Sequence, residues 1–208
     1  MLAVPADELP LVTIRPVTAR GGTEIFLYSR DQAHLFARTT ALLDQLRLSI
    51  MDARIMTTDD HMVLNTYYVL ELEGSPIGEE LRMEEIRSAL KQGLQASPHD
   101  DVQVQRRLPR QYKHFPTMTE VTFTPDERNQ RTVMRLSTLD RPGLLADVGA
   151  VFDTCGIRLQ NAKIATVGAE VDDVFFITTE NDTAIVCETA LACLRNEIHR
   201  RVEKAPAA

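Results

Sequence analysis

The sequence predicts an α+β protein built from two copies of one βαββαβ unit, each an antiparallel sheet with helices on one face. Three observations lead there. The chain repeats itself at a spacing of 109 residues. Within each copy the hydrophobic period changes from two to 3.6 and back. A proline-bearing stretch separates the copies.

Aligned without gaps, Thr23–Thr57 falls on Thr132–Thr166 with ten of 35 positions identical, where chance gives roughly two. The identical pairs are Thr23/Thr132, Leu27/Leu136, Asp31/Asp140, Leu35/Leu144, Ala37/Ala146, Ala41/Ala150, Asp44/Asp153, Ala53/Ala162, Ile55/Ile164 and Thr57/Thr166. Beyond them the register slips by one, so that Asn65–Val69 falls on Asp173–Ile177, as a hairpin one residue shorter in the second copy would require.

The elements follow in order. Ile25 and Leu27, then Asp31, read as a short strand ending at a helix N-cap. Leu35, Phe36, Leu42, Leu43 and Leu46 form one apolar helical stripe, as do Leu144, Leu145, Val148, Val151, Phe152 and Cys155. Gly156 is placed to end the second of these helices, because glycine adopts the left-handed cap without a side-chain clash; Arg47 stands at the same place in the first. Strands over 48–57 and 63–72 meet at Thr58-Asp59-Asp60-His61, and strands over 157–167 and 172–180 meet around Gly168. Closing helices fit 79–95 and 182–203, and the last strand of each unit is weak or displaced. Leu11–Ile14 and Thr119–Phe123 alternate as additional edge strands. The organisation that results is an N-terminal segment over 1–18, a first unit over 19–97, a linker over 98–118 and a second unit over 119–208.

Composition narrows the function. With 23 Lys+Arg against 30 Asp+Glu and a formal net charge of -7, the chain repels phosphate backbones, so nucleic acid is not an expected partner. No apolar run reaches the ~20 residues that span a bilayer, and the start lacks a secretory signal, which predicts no membrane association and a cytoplasmic location. Three cysteines, Cys155, Cys187 and Cys193, are an odd number without metal-ligand spacing and read as reduced thiols.

No phosphate-binding loop, nucleophile elbow or zinc-protease pattern occurs, so no catalytic residue, metal ligand or cofactor is expected. His99-Asp100, Asp59-Asp60-His61 and the lone His34, His114 and His199 read as solvated or turn residues. The basic run Arg106–Arg110, with Tyr112, His114 and Phe115, reads as a solvated linker or docking strap.

One segment stands apart: Asp140-Arg141-Pro142-Gly143-Leu144-Leu145-Ala146, at a strand-to-helix junction. Asp140 is suited to cap the helix, Pro142 is tolerated in its first turn, and Gly143 removes the side chain that would block approach to the helix end. That end presents unpaired N–H donors and a positive dipole to a carboxylate.

This loop, opening a repeated βαββαβ unit, resembles the ACT domain, an amino-acid-binding regulatory module. Over about residues 11–203 the chain is similar to the C-terminal regulatory end of bacterial PII-protein uridylyltransferase/uridylyl-removing enzymes. The resemblance is carried by Asp31-x-x-x-Leu35-Phe36-Ala37, Asp52–Thr58, Lys113-His114-Phe115, Thr119–Phe123 and Asp140–Ala146. It implies two ferredoxin-like ACT domains in tandem that sense glutamine or another small amino acid. It also implies partnership with upstream catalytic domains and the PII protein, and self-association into a homo-oligomer is compatible with it. The family's nucleotidyltransferase and His/Asp metal motifs have no counterpart here, so Mg is implied only for catalytic domains this chain lacks. A freestanding tandem-ACT regulator is the alternative.

Carried over residue by residue, the resemblance implicates Asp140, Arg141, Pro142, Gly143 and Leu144, with Asn161 and Ala162 on the following strand. The corresponding first-copy site is Asp31, Ala33, His34, Asp52 and Ala53. Its Ala33 and His34 replace Pro142 and Gly143, and a side chain at 34 stands where ligand approach needs space, which predicts unequal sites.

Overall fold

The computed structural model describes residues 9–16, 18, 21–58, 60–96, 119–167 and 169–203, without the side chain of Val167. The expected linker over 98–118, with its basic run, therefore lies outside the described residues, as does Asp59. The chain divides into two compact units, Met1–Val104 and Gln105–Ala208.

The first unit runs β1 (Leu11–Arg15), β2 (Thr23–Arg30), α1 (Leu35–Gln45), β3 (Leu48–Thr57), β4 (Met62–Glu71) and α2 (Glu80–Gln95). Its sheet is antiparallel throughout, in the order β1-β2-β4-β3. The second unit repeats this with β5 (Glu120–Asp126), β6 (Arg131–Leu139), α3 (Leu144–Thr154), β7 (Ile157–Lys163), β8 (Thr166–Val167), β9 (Glu170–Thr179) and α4 (Glu188–Val202). Its order is β5-β6-β9-β7, with the short β8 also on β9.

The displaced strand expected from the sequence is thereby located. A βαββαβ unit would place its last strand beside its first; here β1 and β5, which precede the repeat, pair antiparallel with β2 and β6 and occupy that place. Each unit is a ferredoxin-like α+β sandwich closed from its N-terminal side.

Side chains on the helix-covered face of each sheet make the core. In the first unit Ile25, Leu27, Tyr67 and Val69 meet Leu43, Ile86 and Leu90, each at most 1% exposed. In the second, Met134, Leu136, Phe175 and Ile177 meet Val148, Val151, Leu194 and Ile198, again at most 1% exposed. Phe152 adds an edge-on contact to Phe175, with ring centroids 5.6 Å apart. Burying one such side chain stabilises by roughly 1.5–3 kcal/mol, so the alternation alone orients both sheets.

Several identical pairs of the repeat acquire a physical reason. The hydroxyls of Thr23 and Thr132 accept the amides of Ile77 and Ile185, both at 2.9 Å, tying the turn before the second helix to the sheet. Ala53 and Ala162 are fully buried beneath the first helix of their units. Gly156 ends α3 with φ 64, as expected, and Arg47 adopts the same left-handed conformation with φ 62 after α1. A side chain in that region costs roughly 1–2 kcal/mol. Arg47→Gly is therefore expected to stabilise the first unit by about 1 kcal/mol, read as a shift in urea midpoint, with no gain if the Arg47 side chain contributes as much as its backbone costs.

Three expectations are corrected. Asp31 and Asp140 are not N-caps: the caps are His34 and Gly143, and neither makes a side-chain cap hydrogen bond. The amides of Asp31 and Asp140 instead bond the carbonyls of His61 and Ala169, both at 2.8 Å, which delays each helix by three residues and leaves Pro142 ahead of the first turn. The closing helix of the second unit begins at Glu188, not 182, because the chain leaves β9 through a turn in which Thr179 and Thr183 pair backbone and hydroxyl groups. Finally, Cys155 and Cys193 are not separate thiols; they form a disulfide with Cα atoms 6.1 Å apart, since α3 ends beside α4. Cys187 is free and exposed.

Candidate functional site

The helix-start loops of the two units share one backbone construction. In each, an amide three residues before the cap bonds the following hairpin, at 2.8 Å. Leu35 and Leu144 then donate to the carbonyls of Gln32 and Arg141 at 3.3 and 3.2 Å, while Arg38 and Asp147 donate to those of His34 and Gly143 at 2.8 and 2.9 Å. The cap residues are left-handed in both: Gly143 at φ 76 and ψ 5, His34 at φ 62 and ψ 16. The helix geometry leaves its first-turn amides without an i−4 acceptor, so each loop presents donors at a positive dipole end.

The copies differ in side chain, not in path. Gly143 adopts the turn without strain, whereas His34 holds an imidazole there and is exposed. His34→Gly is expected to stabilise the first unit by about 1 kcal/mol by relieving the left-handed strain, as an unfolding titration would show; an unchanged midpoint would mean that the imidazole contributes an equal amount.

Arg141, adjacent to the loop, is turned inward. Its Nη2 donates to the Asp147 carboxylate and, at 3.2 Å, to the carbonyl of Arg201 near the end of α4; its Nη1 donates to the Pro142 carbonyl at 3.3 Å. In the first unit the position of Arg141 is Gln32, and the position of Asp147 is Arg38. There Arg38, only 5% exposed, donates to the carbonyls of Gly93 at 2.8 Å and Ala96 at 2.9 Å. Gly93 and Arg201 are equivalent once the one-residue slip is applied. Each unit thus places a guanidinium on the same terminal carbonyl of its second helix, supplied from a different position, which satisfies orphan acceptors and complements the helix dipole.

The strand half of the site follows a β-bulge present in both units, between Ile50 and Asp52 in β3 and between Leu159 and Asn161 in β7. The bulge inserts one extra residue and resets the register, after which the pleat again sends successive residues to opposite faces. Ala53 and Ala162 lie opposite Tyr67 and Phe175, on the helix-covered face; Asp52 and Asn161 lie opposite Tyr68 and Phe176, on the other. Within one unit, then, Ala162 shares a face with α3 and the loop it opens from, while Asn161 does not. The Asn161 Oδ1 is buried without a hydrogen-bond partner.

One residue beside the loop escaped the sequence reading. Asp173 on β9 is fully buried on the core face. Its Oδ1 accepts the Ala165 amide at 3.1 Å and its Oδ2 has no hydrogen-bond partner. Burial pushes this carboxyl up to about 7, the Ala165 amide opposes the shift, and the charges of Asp140 and Asp172 add to it. The first unit holds a neutral Asn65 at the same place, 1% exposed, its Nδ2 3.4 Å from the Tyr67 hydroxyl. The signal was present: in Val171-Asp172-Asp173-Val174-Phe175-Phe176-Ile177 strict alternation sends 173 inward.

Among the described residues no group of three or more His, Cys, Asp or Glu side chains could hold a metal ion. No helix among them is long and apolar enough to cross a membrane. Asp60 and His61 sit in a hairpin turn, where the Thr58 hydroxyl donates to the Asp60 carboxylate.

Two units in tandem, each opening its first helix from a left-handed loop residue, make the chain a pair of ferredoxin-like α+β modules. In sequence it is similar to the C-terminal region of the bifunctional uridylyltransferase/uridylyl-removing enzymes. The enzyme of that name from Pseudomonas fluorescens (strain SBW25) is 47% identical over 182 residues, 86% of this chain and 20% of the relative. Those from Ectopseudomonas mendocina and Stutzerimonas stutzeri are 42% and 44% identical, over 98% and 97% of this chain and 23% of each relative. The chain spans about a fifth of the length of the curated relatives it matches. No family model matches it. An aspartate kinase from Synechocystis superposes with a TM-score of 0.45 at 16% identity over 87% of this chain and 27% of that one.

Proposed function

We propose that this chain is the amino-acid-sensing, non-catalytic region of a cytoplasmic uridylyltransferase/uridylyl-removing enzyme, with glutamine as its ligand. The observation that carries the reading is the Gly143 loop: a left-handed glycine opening a helix, without a side chain over its donors, in a chain homologous to the C-terminal region of those enzymes. The ligand carboxylate would meet the first-turn amides of α3. Asp140, Pro142 and Leu144 shape the approach; Ala162 lies on the same face as α3, whereas Asn161, with its unpartnered buried oxygen, serves the opposite face of the sheet. The first unit, with Ala33 and His34 over the same backbone, binds more weakly or serves to complete the regulatory pair.

In the longer enzyme, ligand binding would bias the balance between adding UMP to the PII protein and removing it, a coupling of ~1–3 kcal/mol. The Mg-dependent chemistry of such an enzyme would reside in domains outside this chain.

Calorimetric titration of the isolated chain with each of the twenty amino acids tests the reading. Glutamine is expected to bind and to raise the thermal midpoint, by an amount equivalent to about 2.7 kcal/mol at a hundredfold excess over Kd. Gly143→Trp should abolish the response while the ligand-free midpoint moves by only a few degrees, since His34 already holds a ring in this conformation. No binding by folded protein at millimolar glutamine would sink the proposal.

A further inference from the structure

The two units tie their first helix to their second at one equivalent place, with different chemistry. In the first unit the carbonyl of Leu46, capping α1, accepts Arg82 Nη2 at 2.5 Å, and the same guanidinium bonds Glu85 at 2.8 Å and Glu71 at 2.9 Å. Leu46 and Glu85 correspond through the repeat to Cys155 and Cys193, which in the second unit are joined by the disulfide. An ion-pair tie that no reductant affects is thus matched by a covalent tie that a reductant cuts.

We propose that Cys155–Cys193 is a reversible thiol–disulfide modification site whose reaction partner is a dithiol, small or protein-borne, and that its state sets the mobility of α3 and α4. The placement supports this on three grounds. Both cysteines are half-buried rather than sealed in the core, so a thiolate can reach the bond. The bridge closes a separation of 38 residues, long enough for the link to restrict the opened chain substantially. Arg141 holds the other end of the helix pair through Asp147 and the Arg201 carbonyl, so the disulfide is one of two clamps on α3, whose first turn belongs to the candidate ligand loop.

The step balances as ordinary exchange. One thiolate of the dithiol attacks one Sγ, breaking the Sγ–Sγ bond and releasing the other cysteine as thiolate. The second thiol of the reductant resolves the mixed disulfide. The protein gains two electrons and two protons, and the dithiol leaves as its own disulfide.

The test uses the chain carrying Cys187→Ser, so that only the pair is counted. After exposure to oxidised glutathione, alkylation should label neither Cys155 nor Cys193; after dithiothreitol, it should label both. Reduction should speed amide exchange in α3, α4 and residues 140–147 by at least about tenfold while leaving α1 and α2 unchanged, and reoxidation should reverse it. A Cys155→Ser/Cys193→Ser double variant should behave as the reduced form in either buffer, with α1 and α2 as the internal control for folding. Failure of the pair to form under oxidant, or exchange in α3 and α4 that ignores its state, would overturn the proposal.

Discussion

The second unit is expected to lose stability as pH rises from about 4 to about 7, and Asp173→Asn is expected to abolish that loss. The cause is the buried carboxyl of Asp173, raised to about 7 in the folded protein from an ordinary value of 3.8. A carboxyl raised on folding contributes its full stability below the unfolded value, where it is protonated in both states, and that contribution disappears as pH climbs through the folded value. A shift of this size corresponds to up to about 4 kcal/mol. Asn supplies a neutral group of the same shape, and the first unit already carries Asn65 at this place. The parent and the variant should therefore be similar near pH 4 and diverge in the variant's favour by pH 8. Urea titrations at both values decide it: parallel pH profiles for the two proteins would show that Asp173 is solvated or paired in solution.

Arg38→Ala is expected to cost the first unit about 3 kcal/mol. It removes the charge-assisted bonds to the Gly93 and Ala96 carbonyls and leaves those acceptors beneath a truncated side chain. The second unit provides the control, because it meets the same need from another position. Transplanting its arrangement, Gln32→Arg together with Arg38→Asp, should recover most of the loss by reproducing in the first unit the pairing of Arg141 with Asp147. If the double variant is no more stable than Arg38→Ala, the two guanidiniums do not perform equivalent roles.

Much of the architecture was legible because the repeat samples the fold twice. Apolar spacing at two and 3.6 residues is a local consequence of strand and helix geometry, so the order of elements could be read without knowing what packs on what. Gly143 and Gly156 were legible for a related reason: a left-handed residue at a helix boundary is announced when it is glycine. His34 and Arg47 adopt the same conformation, but nothing in their chemistry announces it, and only their alignment with the glycines pointed to these positions. The N-cap assignment to Asp140 failed because the competing partner of its amide, the Ala169 carbonyl, lies 29 residues further along the chain and is invisible to a local rule.

The sequence by itself determined that there are two units, which apolar stripes face each core, where the loops open the helices, and which enzymes the chain resembles. All of these rest on local periodicity or on residue identity at aligned positions. The tertiary structure alone decided that β1 and β5 complete the sheets, that Arg38 and Arg141 each reach the end of the second helix of their own unit, that Asp173 is buried beside Asp140, and that Cys155 meets Cys193. Each of these joins residues far apart in the chain, and their proximity follows from how helices settle on sheets, a matter of packing rather than of pattern. The site shows the same division: the glycine that opens the Gly143 loop is written in its own residues, while the buried carboxyl beside it comes from β9 and the carbonyl that Arg141 reaches comes from the end of α4.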